Sequence, residues 1–189
     1  MTNVLSKKCI TEYFGVNNEN SYIDLGRYIA KNLIDQNINE YTPVILCIGT
    51  DRATGDCLGP LVGEQLYNYN RNFNVLGTLG YPVHALNLRQ AIRLIYSEIN
   101  NPFIIAVDAA LGIRSHVGYI SVSNCPIAPG KGVNKKLPAI GNISITGIVN
   151  TLSPTNPSLL QSTRLHTVKV LADCISNALK YSIDYLEDF

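Results

Sequence analysis

The sequence predicts an α/β fold in which a mostly parallel sheet is sandwiched between helices. Two short apolar runs, Val44–Ile48 and Phe103–Val107, read as strands buried on both faces. Helical periodicity fills the space between them, around Leu58–Leu66 and again around Leu88–Ile99. Strand, helix, strand, helix, strand is the pattern of a parallel sheet covered by its own crossover helices.

Each element has its own signal. Residues 1–20 mix polar and apolar side chains without a period, and we expect a loosely attached arm, with residues 21–189 forming a single α/β domain. From Ser21, Tyr22, Leu25, Ile29 and Leu33 recur at helical spacing, with Ser21 as the expected cap. Tyr41-Thr42-Pro43 breaks that pattern before the strand at 44–48. After the loop Gly49–Asp56, the positions Leu58, Leu61, Val62 and Leu66 mark a helix opened by Gly59-Pro60, since Pro is tolerated in a first turn. Asn74–Thr78 reads as a second strand, and Leu88, Ala91, Ile92, Ile95 and Ile99 trace one face of a helix. The strand at 103–107 is expected to end at Asp108. Extended segments at Gly118–Val122 and Asn142–Ile148 flank a Pro/Gly/Lys-rich loop, and Leu160–Leu186 closes the chain as a long helix with Val168, Leu171, Ile175, Leu179 and Ile183 inward.

Composition narrows the function classes. The chain is 46% hydrophobic and 15% charged, a globular balance for its 189 residues. Fifteen basic and fourteen acidic side chains nearly cancel, which gives no general attraction to nucleic acid or to an anionic membrane. No apolar stretch approaches the roughly 18 residues of a membrane span, and the first residues lack the pattern of a secretory signal. Five cysteines at wide spacings, Cys9, Cys47, Cys57, Cys125 and Cys174, include no CxxC pair. Reduced thiols in the cytoplasm are the expectation. No exposed heptad or edge strand decides oligomeric state, so a homo-oligomer stays open.

Topology then brings two acids together. If the second strand lies outside the first, right-handed crossovers place the first and third side by side, and a crevice opens at their carboxyl ends. Asp56 lies in the loop leaving the first strand and Asp108 ends the third. Taken singly, Asp56 reads equally well as a cap of the helix near Leu58, and Asp108 as the cap of a turn. Taken together, two close carboxyls cannot both ionise cheaply, so one tends to keep a proton. The ionised partner can activate water while the other supports a carbonyl oxygen or leaving amine, with no cofactor. The same pair could bind a divalent metal, and spacing does not separate the two readings.

The remaining candidates are weaker. The Gly49–Gly59 loop lacks the Gly-Lys-Ser/Thr of a P-loop and the GxGxxG of a dinucleotide fold, and Asp56 would oppose a phosphate there. His84, His116 and His166 are scattered without an HExxH pair, so structural roles are expected. Cys57 reads as a small residue packing at a helix start. Lys131, Lys135 and Lys136 form the one basic cluster, either a solvated loop or a contact for an acidic or extended substrate.

Three segments carry a family resemblance. GTDRATGDCLGP (49–60) resembles the GxxxxTPDALGP signature of the germination protease of bacterial spores, with Asp56 on its aspartate and Thr54, Leu58, Gly59 and Pro60 also matching. IIAVDAALG (104–112) is similar to that family's VDALA strand end, where Asp108 falls on the second catalytic aspartate. IAPGKGVNKKLPAIGNISITGIVNT (127–151) resembles its PGSGVGNxR loop through Pro129, Gly130, Gly132, Val133 and Asn134, with Lys in place of the Arg. The chain is shorter than those enzymes and looks closest to the short YyaC-type sporulation proteins.

The resemblance implies a three-layer α/β/α sandwich shared with the hydrogenase maturation endopeptidases, and an endopeptidase in which Asp56 and Asp108 act on water. Asp51, Thr54, Gly130, Lys131 and Asn134 are the substrate-binding residues expected around the pair; Asp51 matches no family acid. The substrate implied is a small spore protein, and the setting the forespore or spore core. The nickel-dependent relatives follow their Gly-Asp with a metal-holding glutamate. Cys57 stands there instead, which favours metal-free chemistry. The alternative is a non-catalytic sporulation protein that binds a peptide or protein partner in the same crevice.

Overall fold

A computed structural model describes residues 8–69, 72–129, 137–152 and 157–187. Its strands are β1 (Thr11–Gly15), β2 (Thr42–Cys47), β3 (Asn74–Leu76), β4 (Pro102–Gly112), β5 (Tyr119–Ser123) and β6 (Ile143–Thr151). Its α-helices are α1 (Ser21–Asp35), α2 (Leu58–Leu66), α3 (Leu88–Glu98) and α4 (Leu165–Glu187). The strands form one sheet in the order β1-β5-β6-β4-β2-β3. β3, β2, β4 and β6 run parallel, while β5 and β1 add antiparallel at one side. The mostly parallel sheet expected from the apolar runs is therefore present, with the first and third predicted strands adjacent.

The three layers follow from strand alternation. Ile45 and Cys47 of β2, with Phe103, Ile105 and Val107 of β4, face a core built from α1, α2 and α4. Val44, Leu46, Ile48, Ile104 and Ala106 point the other way, onto Leu88 and Ile95 of α3 and onto Ile140. Strands apolar on both faces can only lie between two helical layers. Each fully buried Ile or Leu contributes about 1.5–3 kcal/mol relative to exposure, so the sheet centre is the best-anchored part of the molecule. A polar link, Gln65 Nε2 to Asp173 Oδ1 at 2.9 Å, joins α2 to α4 beside this core.

Several expectations need correction. Residues 11–15 are not part of a loose arm: they pair antiparallel with β5, from Thr11 opposite Ser123 to Gly15 opposite Tyr119. Extending that register by two residues sets Cys9 opposite Cys125, and the two form a disulfide with Cα atoms 5.6 Å apart. The expectation of five reduced thiols therefore fails for this pair, because the register that brings them together depends on a strand with no periodic signal. Cys47, Cys57 and Cys174 are free and buried. Ser21 does not cap α1 in the expected way; Asn20 occupies the cap position, and Ser21 Oγ accepts from the N–H groups of Asn17 (3.1 Å) and Asn18 (3.2 Å). The final helix begins at Leu165, after a short 3-10 turn at Pro157–Leu160. No described helix is long and apolar enough to cross a membrane.

Candidate active site

The site forms where β2 and β4 part company. Their pairing ends at Cys47 opposite Val107, after which the Ile48 N–H still donates to the Val107 carbonyl at 2.7 Å. Beyond that bond β2 turns away. β4 does not stop at Asp108, as its charge suggested; it runs on to Gly112 against β6, with a register shift between Ala110 and Leu111. Asp108 is thus the first residue of β4 to lose its neighbour on the β2 side, and the sheet opens at that point.

The loop leaving β2 supplies the second acid. Gly49 takes a φ of +147°, and a Cβ there would lie 2.0 Å from the Asp56 carbonyl oxygen, so only glycine allows the loop to fold back so tightly. The Thr50 N–H donates to that same carbonyl at 3.0 Å, and the Asp56 N–H donates to Ala53 at 2.9 Å. Asp56 sits in the 3-10 turn Thr54–Cys57 that runs directly into α2. It does not serve as a conventional helix cap: neither that turn nor α2 has a side-chain hydrogen bond at its cap. Residues 160–163 pack against the turn, where a Cβ on Gly55 would meet the Leu160 carbonyl at 2.6 Å and the Thr163 side-chain Oγ1 at 2.8 Å.

Electrostatics distinguishes the two carboxyls. Asp108 is only 7% exposed. Burial, and then the charge of Asp56, hold its carboxyl well above the usual carboxylate range; the Ala109 N–H, donating to Oδ1 at 2.9 Å, works against this. Asp56 is half-buried and is also raised by burial, while His84 and the Thr50 N–H pull it back down. The pair is therefore coupled, with Asp108 the member that favours its proton and Asp56 the one more easily ionised. Burial, with Asp51 and Asp56 next, raises the Cys57 thiol, which keeps it from acting as a thiolate nucleophile.

The other expected site residues divide. Thr54 opens the Asp56 turn and is half-buried. Asp51 is exposed in the same loop and acts electrostatically on Cys57. Gly130, Lys131 and Asn134 lie outside the described residues, as do Lys135 and Lys136. His84, for which the sequence suggested a structural role, lies in the segment leaving β3 and acts electrostatically on Asp56. Its signal was positional: every loop leaving a parallel strand at its carboxyl end shares one rim of the sheet.

These donors do not suit nickel. Among the described residues no three of His, Cys, Asp and Glu are grouped to hold a metal ion. Cys57, the residue that follows Asp56, is a buried thiol. A thiol binds metal as its thiolate, and burial with the Asp51 and Asp56 charges opposes that ionisation.

A family model described as "Protein of unknown function (DUF1256)" matches residues 13–178. The chain belongs to the DUF1256 family. "Uncharacterized protein YyaC" of Bacillus subtilis (strain 168) is 46% identical to this DUF1256 chain over 137 residues, which cover 72% of the chain and 67% of the relative. Among solved structures, the NiFe hydrogenase maturation protease HycI from Thermococcus kodakarensis KOD1 is similar over 73% of this chain and 92% of its own. The identity there is 15% and the TM-score 0.44. Nothing about chemistry follows from a likeness of that size.

Proposed function

We propose that this DUF1256 chain is an endopeptidase in which Asp56 and Asp108 hydrolyse a peptide bond with water and no covalent intermediate. The observation that carries the reading is the pair of sheltered carboxyls at the opening between β2 and β4, both raised by burial, with Asp108 holding its proton the more strongly. Ionised Asp56 takes a proton from water as the oxygen adds to the peptide carbonyl carbon. Protonated Asp108 gives its proton to the leaving nitrogen as the carbon–nitrogen bond breaks. The products are a carboxylic acid and an amine, and transfer of the proton from Asp56 to Asp108 restores the pair. The resemblance of residues 49–60, 104–112 and 127–151 to the germination protease motifs supports a small spore protein as substrate and a developing spore as the setting. Asp51, Thr54, Gly130, Lys131 and Asn134 are the residues proposed to bind the substrate.

The test incubates wild type, Asp56→Asn and Asp108→Asn with small acid-soluble spore proteins. Wild type is expected to cut, and each variant to be slower by about 10²–10⁴-fold, the usual worth of a positioned acid or base. Equal cleavage by all three removes the pair from the mechanism. A wild type that binds the substrate and leaves it intact replaces the peptidase with a peptide-binding groove.

A further inference from the structure

We propose that Asn150 and Thr163 are positioning residues of this site: they clasp the turn that carries Asp56 and keep its carboxyl in working reach of Asp108. The inference rests on the peptidase reading and names the residues that set its two carboxyls against one another.

The turn Thr54–Cys57 is secured from two sides. On the β2 side the chain itself holds it, because the Thr50 N–H donates to the Asp56 carbonyl at 3.0 Å. Gly59 adds to that hold: a Cβ there would lie 2.2 Å from the Ile48 carbonyl oxygen, so α2 starts hard against the end of β2. On the other side Gly55 meets residues 160–163, so closely that a Cβ would strike the Leu160 carbonyl and Thr163 Oγ1. Those residues belong to the segment between β6 and α4.

Asn150 ties that segment to the sheet. It stands near the end of β6, opposite Leu111 of β4, and β6 is the neighbour of β4 on the side away from β2. Its Nδ2 donates to the Leu159 carbonyl at 3.1 Å and to Thr163 Oγ1 at 3.2 Å. Its Oδ1 accepts the Thr151 N–H at 2.8 Å, and Thr163 Oγ1 donates to the Leu159 carbonyl at 2.8 Å. Both amide hydrogens and the hydroxyl hydrogen are thereby used, and Thr163 is only 6% exposed. A buried network with every member satisfied holds one arrangement, and deleting a member leaves polar groups unpaired.

The clasp has a task beyond stability. Asp108 is carried by β4, whereas Asp56 is carried by a turn braced toward the strands on either side of β4. The separation of the two carboxyls is therefore set by β2 through its loop and by β6 through Asn150. With the second brace removed, the turn is held at one side only, so Asp56 draws back and water reaches Asp108. Neither Asn150 nor Thr163 need touch the substrate for this.

The experiment follows the side-chain carboxyl carbons of Asp56 and Asp108 by NMR across pH in wild type, Asn150→Ala, Thr163→Val and Thr163→Ser. Rates on small acid-soluble spore proteins are measured alongside. In Asn150→Ala the Asp108 midpoint is expected to fall toward the ordinary carboxylate value. Its kcat should drop by about 10–10²-fold, the cost of a displaced catalytic group, with KM little changed. Thr163→Val should move both quantities the same way, and Thr163→Ser, which keeps the hydroxyl, should stay near wild type. A brace serving stability alone would lower the melting temperature and leave the midpoints in place. Unchanged midpoints in folded Asn150→Ala and Thr163→Val proteins therefore overturn the proposal, and so does a Thr163→Ser protein that shifts as Thr163→Val does. If wild type cuts no peptide at any pH, the peptidase reading falls, and the two titrations alone decide the role of the clasp.

Discussion

Asp108 holds a carboxyl at a depth where charge is costly. Its native pKa stands well above the usual range, so the folded protein keeps a proton that the unfolded chain has already released. Between the unfolded and native values the native state binds more protons, and stability falls as pH rises through that window. Asp56 is shifted in the same direction and adds to the effect. Asp108→Asn keeps an acceptor for the Ala109 N–H and should raise stability by roughly 1–2 kcal/mol at neutral pH. The gain should vanish below about pH 4, where the unfolded carboxyl is itself protonated. Urea denaturation at both pH values measures this; an equal gain at both would detach it from ionisation. The same coupling shapes the proposed activity. The singly protonated pair is the working form, so the rate should fall at low pH as Asp56 gains a proton and at high pH as Asp108 loses one. Both limbs should lie above the values of two isolated carboxyls, and a pH–rate profile with its acid limb at an ordinary carboxylate value would count against the assignment.

At the scale of elements, the aspartates depend on tight backbone contacts. Gly49→Ala would drive a Cβ onto the Asp56 carbonyl and strain a left-handed φ, and should destabilise the protein by about 1–3 kcal/mol. Thermal melting checks the loss, and an unchanged midpoint would mean that the loop relaxes freely. The elements around this loop were legible because their signals are local. β2 and the first half of β4 are apolar on both faces, and the stripe of α3 repeats at helical spacing. What the sequence concealed depends on pairing. β1, with the sequence TEYFG, is mostly exposed, so no period marks it; its only evidence is a partner at 119–123. β4 continues past Asp108 because β6 supplies its ladder, a fact invisible within residues 103–112 themselves. The same holds at the site. Motif and topology made Asp56 and Asp108 visible, whereas the segment at Val83 meets the start of the Asp56 loop only through its bridge with Ile48.

For the molecule as a whole, the disulfide is the longest-range covalent constraint described. It joins residues separated by 116 positions and closes a loop that contains most of the sheet. Its reduction, or Cys9→Ser, should lower stability by about 2–4 kcal/mol, chiefly by enlarging the freedom of the unfolded chain. Chemical denaturation with and without a dithiol reductant measures this. The reduced wild type should match the Cys9→Ser protein, and hydrogen exchange should quicken first in residues 11–15. No change on reduction would show that the β1–β5 ladder holds its edge unaided. The aspartate site lies across the sheet from that bond, on the β2–β4 opening, so cleavage should be far less sensitive to reductant than stability is.

The place of β1 also bears on how the molecule is made. Of the described strands, β1 leaves the ribosome first; it has a single partner in the sheet, and that partner is synthesised more than a hundred residues later. At ordinary rates of translation that gap is on the order of ten seconds. During that interval β2, β3 and β4 can assemble with their helices while the N-terminal segment waits unpaired. The earliest-made of the described strands is therefore among the last to be seated, and the Cys9 thiol is open to other chemistry until Cys125 arrives.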